Sequence, residues 1–139
     1  NAIHSAAGIQ LRQACRAFRV NQELPEPVGG VRVTPGFNLP SRLVFHTVGP
    51  RISVVPGEME IQALRHCYRS CLEAAAKIEL DSMAFCCIST GEFNFPQELA
   101  AGIAVSTVQA HLEHHAWPGI VVFNVYKDRD LSLYRNLLD

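Results

Sequence analysis

From Glu58 onward the chain alternates two hydrophobic periods that cannot share one element. Between Glu58 and Glu79, Ile61, Leu64, Tyr68, Cys71, Leu72 and Ala75 recur at three- and four-residue spacing, one apolar stripe of a helix. "SMAFCCI" then runs apolar without interruption, the pattern of a strand buried on both faces. A helix follows Pro96, with Leu99, Ile103, Ala104, Val108 and Leu112 inward; proline suits a first turn, where its missing N–H costs nothing. "GIVVFNVY" repeats the buried-strand pattern, and "DRDLSLYRNLL" reads as a closing helix with Asp128 or Asp130 near its cap. Strands separated by helices are joined by crossovers, so this half implies parallel pairing with helices laid over the sheet.

The first half is less regular. Ile3, Ala7, Leu11, Ala14, Cys15 and Phe18 predict one helix over residues 3–20. "NQELPEPVGG" breaks it with two prolines and two glycines, and "VRVTPG" is a short strand ended by Pro35 and Gly36. Arg42 to Val48 is a second strand, stopped by Gly49-Pro50. The order is helix, two strands, helix, strand, helix, strand, helix, in one α/β layered domain of 139 residues without an internal repeat.

Composition narrows the function. With 48% hydrophobic and 18% charged residues the chain can build a core. A formal net charge of -1 and the lack of a basic run argue against nucleic acid and anionic membranes as partners. No apolar run approaches the roughly 20 residues that span a bilayer. The five cysteines, 15, 67, 71, 86 and 87, form no disulfide framework and read as buried thiols of a reducing, cytoplasmic compartment. The chain begins without methionine or a signal-peptide pattern, and helical periodicity starts almost at once.

Ligands of such sheets gather outside the carboxyl ends of the strands. "CCISTGEFNFPQELA" lies there: an apolar strand end, then Ser89, Thr90 and Gly91, then a helix start. Glycine permits close backbone approach, the amides ahead of a helix favour an anion, and the two hydroxyls add donors. Phosphate is the natural guest. The loop lacks the lysine of a Walker A motif and is not G-x-G-x-x-G; an ordinary strand-to-helix turn remains the alternative. Glu92 would repel a phosphate, so its N–H matters more than its side chain. Asn124, Val125 and Tyr126 form a second such loop, where an amide and an aromatic suit a base, although Tyr126 taken alone reads better as a cap on the core.

Other groups are read blandly. His111 and His115 sit at i, i+4 but without a third ligand they describe a solvated helix end. His46 alternates with apolar neighbours as a hydrogen-bonded core residue. His4 opens a helix without an identifiable partner. Asp128 and Asp130 read as cap and solvent charge.

"AIHSAAG", "VTPGFNLPSRLVFHTVGP", "CYRSCLEAAA", "AFCCISTGEFNFPQELAAGIAVSTV" and "VVFNVY" occur in the order found in macrodomains, the ADP-ribose-binding modules, and the resemblance runs from Asn1 to Tyr126 or beyond. "CISTGEFNFP" with "TPGFNLP" most resembles the zinc-dependent microbial branch that removes ADP-ribose from modified proteins. The resemblance implies a three-layer α/β/α fold with a mixed, largely parallel central sheet. It implies that Ser89, Thr90, Gly91, Glu92 and Phe93 wrap the diphosphate, with Phe93 beside the distal ribose, and that Asn124 and Tyr126 meet the adenosine. The partner is then ADP-ribose or an ADP-ribosylated protein.

The departure is at the front. Family members carry earlier strands, an asparagine-rich stretch and a catalytic acid upstream of the position of Asn1, and the zinc ligands of that branch also lie upstream. No catalytic residue or metal ligand is therefore assigned in residues 1–139, and zinc enters only as a cofactor bound upstream of Asn1. A cleaved or partial piece, one of two assembling chains, and a truncated protein are all open. Loss of a central strand would expose unpaired backbone, so the 139-residue chain alone is expected to be unstable. The functions implied are hydrolytic removal of ADP-ribose, non-catalytic reading of ADP-ribose, or an interaction module with a vestigial pocket.

Overall fold

The computed structural model describes residues 2–20 and 22–139. Its elements are α1 (Ala2–Ala7), α2 (Ile9–Val20), β1 (Val31–Pro35), β2 (Leu43–Thr47), α3 (Glu58–Lys77), β3 (Ser82–Phe85), α4 (Gln97–Leu112), β4 (Ile120–Phe123) and α5 (Asp128–Leu138). The interleaving of helices and strands is the one expected, but the single helix over 3–20 is two. Gly8 separates them with φ of 89°, a left-handed conformation that ends a right-handed helix. The loop after β1 seats itself in that joint. Asn38 donates its N–H to the Ala7 carbonyl at 3.2 Å, and a Cβ on Gly8 would lie 2.7 Å from the Asn38 Nδ2.

The helices of the second half follow their apolar stripes. Leu64, Tyr68, Cys71, Leu72 and Ala75 of α3 are buried with Met83 and Phe85 of β3, Phe95, and Tyr134 of α5. α4 lies between α3 and α5. Its buried surface is consequently a wide arc, including Ala100, Ala101, Val105, Thr107 and His111 beside the expected Ile103, Ala104 and Val108. Leu99 and Leu112, expected inward, are 39% and 38% exposed at the edges of that arc. Thr107 satisfies its buried hydroxyl by donating to the Ile103 carbonyl at 2.6 Å. Asp130, expected in solvent, is 6% exposed in the first turn of α5.

The strands pair in both senses, as expected of a mixed sheet, but not in one sheet. β1 runs antiparallel to β2, with Val33 opposite Phe45, and β3 runs parallel to β4, with Ala84 opposite Val122. Among the described residues these are two separate two-stranded sheets, not one largely parallel sheet. Between them lies a cavity of about 990 Å³, lined by Leu43–Thr47 on one side and Ser82–Ile88 on the other. Among the described residues the facing edges share no ladder. β3 also ends earlier than expected, so Cys86–Ile88 fall in the loop, whereas Asn124–Tyr126 follow β4 as the second loop expected there.

Nor are these strands buried on both faces. Met83 and Phe85 are buried while Ser82 and Ala84 are exposed, and Ile120 and Val122 of β4 are 62% and 48% exposed. Their apolar runs meet the helices on one face only. The cysteines follow suit: Cys67 and Cys71 are buried, Cys15 and Cys87 half-buried, and Cys86 is exposed rather than buried. Enough protein surrounds Cys86 for desolvation still to raise its thiol pKa, and burial pushes Cys71 up to about 12.

Alternate N–H groups of β2 and of β3 point away from their partners, toward the cavity. Amide hydrogen exchange followed residue by residue should therefore alternate between protected and fast along Leu43–Thr47 and Ser82–Phe85, against uniform protection in the middle of α3. Uniform protection along both strands would show the two edges to be paired.

Candidate functional site

The loop between β3 and α4 is closed on itself by its own backbone. Phe95 donates its N–H to the Ser89 carbonyl at 3.0 Å, and Asn94 donates to the Gly91 carbonyl at 3.1 Å. Phe95, 2% exposed, anchors the far end in the core; truncating such a phenylalanine to alanine costs about 3–5 kcal/mol. The left-handed turns fall on Ser89 (φ 65°) and Asn94 (φ 58°), not on the glycine. Gly91 is not left-handed, and nothing lies within 4 Å of where its Cβ would be. Its contribution is absent bulk in front of the loop.

The donors of this loop are its amides. Among the described residues the N–H groups of Gly91, Glu92 and Phe93 have no hydrogen-bond partner, and α4 begins just beyond them at Gln97. Three successive free N–H groups ahead of a helix make an anion-binding concavity. The hydroxyls contribute less than expected. Thr90 donates its Oγ1–H to the Cys87 carbonyl at 3.1 Å, and its N–H reaches the same carbonyl at 3.4 Å. Ser89 Oγ is buried without a partner.

Ser89, Phe93 and Asn124 line one cavity, the same that separates the two sheets. Asn124 is placed there by its N–H, which donates to the Phe85 carbonyl at 2.8 Å and extends the β3–β4 ladder by one bond. Thr90, Gly91 and Glu92 stand outside that lining, as does Tyr126, which is 96% exposed and caps no core. The sequence reading missed Gly49 and Ile52. Gly49 lines the cavity against Ser89, and Ile52 donates its N–H to the Phe93 carbonyl at 2.8 Å. "GP" was legible as a strand stop, but which loop it would touch is a tertiary fact.

The histidines keep to structure. His46 Nε2 and the buried Thr34 Oγ1 are hydrogen-bonded at 2.9 Å. His111 is buried rather than solvated: it donates its Nε2–H to the Trp117 carbonyl at 3.0 Å and stacks on the exposed His115, ring centroids 4.1 Å apart. Among the described residues no three His, Cys, Asp or Glu side chains converge as a metal site, and no helix is long and apolar enough to cross a membrane.

Desolvation first, and then the charge of His4, hold the His46 pKa below its ordinary value of 6.5. As pH falls through that value the unfolded chain takes up the proton before the folded one does, so stability is full above it and declines below. Denaturant midpoints measured from about pH 8 down to about pH 5 should fall, and His46→Gln should flatten that decline. An equally steep decline in the variant would assign it to other groups.

The chain is similar in sequence and fold to known proteins. It is 46% identical over 136 residues to a Protein-ADP-ribose hydrolase of Staphylococcus aureus (strain MSSA476), covering 97% of this chain and 51% of that protein. It is 44% identical over 138 residues to one of Treponema medium, covering 99% and 53%. The chain thus spans about half the length of these curated relatives. A mutant of the Oceanobacillus iheyensis macrodomain with ADPR superposes with a TM-score of 0.91 at 39% identity, over 99% of this chain and 74% of that one. The Trypanosoma brucei macrodomain in complex with ADP-ribose does so at 0.87 and 34%, over 100% and 56%. The α/β fold is that of the macrodomains, and residues 1–104 match the family model described as Macro domain. By its sequence and its fold, this chain belongs to the Macro domain family.

Proposed function

We propose that this chain recognises ADP-ribose and serves its hydrolytic removal from modified proteins. The observation that carries the reading is the row of unpartnered Gly91, Glu92 and Phe93 amides in the loop whose Ser89 and Phe93 line the cavity that also holds Asn124. Relatives named Protein-ADP-ribose hydrolase at 44–46% identity, and a macrodomain solved with ADP-ribose, support it. In this reading the three amides hold the diphosphate, Phe93 lies beside the distal ribose, and Asn124 and the exposed ring of Tyr126 receive the adenosine. These residues bind and orient the sugar, which places its anomeric carbon for attack by water. None of them is assigned as acid or base.

Zinc belongs to the proposal only through the resemblance to the zinc-dependent branch. The described residues offer no three-ligand group that fits it, so no step is derived through zinc. Five free thiols support a reducing, cytoplasmic setting.

Calorimetry with ADP-ribose should give saturable binding. Tyr126→Ala should weaken it by about 1–3 kcal/mol, the scale of an aromatic stacked on a base. Gly91→Glu should abolish it without unfolding, because the site of the new side chain is open. Incubation with an ADP-ribosylated protein should release ADP-ribose when the residues expected upstream of Asn1 are present. Binding without release would reduce the chain to a reader, and no saturation with ADP-ribose would end the proposal.

A further inference from the structure

The segment Gly49–Ile52 touches the β3–α4 loop at both ends. At one end Gly49 packs directly on Ser89. A Cβ on Gly49 would collide with Ser89 Oγ, lie 2.8 Å from Ile88 Cγ2 and stand 3.4 Å from Ser89 Cβ. At the other end Ile52, 5% exposed, donates its N–H to the Phe93 carbonyl at 2.8 Å. The three free amides lie between these two contacts.

Two features of Ser89 are unexplained by the loop alone. Its backbone is left-handed at φ 65°, unfavourable for a residue with a Cβ. Its Oγ is buried with no partner, a position that costs free energy. Both persist only where surrounding structure imposes them. Gly49 and the fixed Ile52–Phe93 bond supply that imposition: the missing Cβ admits Ser89 into a slot, and the left-handed turn there directs the next residues outward.

We propose that Gly49 is a positioning residue for the anion-binding loop, its hydrogen side chain setting the turn at Ser89 that presents the Gly91, Glu92 and Phe93 amides. The proposal rests on the reading of that loop as the diphosphate site for its functional consequence, but not for its structural one. Gly49 touches no ligand in this scheme; it acts through Ser89.

The test compares Gly49→Ala, Ser89→Gly and the double variant, read by amide chemical shifts of Gly91, Glu92 and Phe93 without ligand and by ADP-ribose titration. Gly49→Ala should shift those three amides and lower affinity at least about tenfold, the effect of misplacing a binding group. Ser89→Gly vacates the Ser89 contact and tolerates the left-handed turn, leaving only the Ile88 Cγ2 methyl against the new Cβ, which a small side-chain shift relieves, so the double variant should return the three shifts to those of Ser89→Gly and its affinity to within about threefold of that variant. Unchanged shifts in Gly49→Ala, or a double variant as impaired as Gly49→Ala, would overturn the proposal. If no variant, nor the parent, binds ADP-ribose, the ligand assignment fails while the shifts still decide the role of Gly49. If Gly49→Ala does not fold, the double variant decides: folded with the affinity of Ser89→Gly it supports the proposal, folded without that affinity it refutes it.

Discussion

Tyr68 joins the core of this molecule to its site. Its ring packs against Phe85, centroids 5.0 Å apart, inside the cluster that α3, β3, α4 and α5 share. Its hydroxyl donates to the Cys86 carbonyl and accepts the Ile88 N–H, both at 3.4 Å. Those are the groups that β3 leaves unpaired when its ladder ends. A buried aromatic thus terminates the strand and satisfies the backbone at the point where the chain departs for the loop. Phe95 performs the matching task on the return, so the loop leaves and re-enters the core through two fixed aromatic side chains.

What periodicity encodes was legible beforehand. The α3 stripe, the start of α4 behind Pro96 and the position of Ser89–Phe93 at a strand end follow from local pattern, and the structure places them there. What depends on distant neighbours was not. Gly8 looks like any glycine in a helical pattern until Asn38 occupies the space beside it. Leu99 and Leu112 belong to a stripe that would be inward if α4 had one neighbour instead of two.

The candidate site shows the same division more sharply. Ser89, Phe93 and Asn124 meet in one cavity as their positions at strand ends suggest. The physical roles are redistributed within the loop, however. Serine and asparagine make the left-handed turns while glycine, the usual residue for them, is not left-handed and leaves open space. The hydroxyl of Thr90 is spent on the Cys87 carbonyl. Residue type announced a polar loop; only tertiary packing decided which of its atoms face outward.

Because the free donors are the peptide groups of Gly91, Glu92 and Phe93, the hold on an anion proposed for this loop would contain no proton that titrates in the physiological range. Lysine and histidine grips loosen as they lose charge; peptide N–H groups do not. Nor is the hold written in the identity of those side chains, since any residue but proline presents an N–H. Under that proposal, the substitutions the loop tolerates are set by what preserves its curve and leaves the space before Gly91 open, rather than by side-chain contact with a ligand.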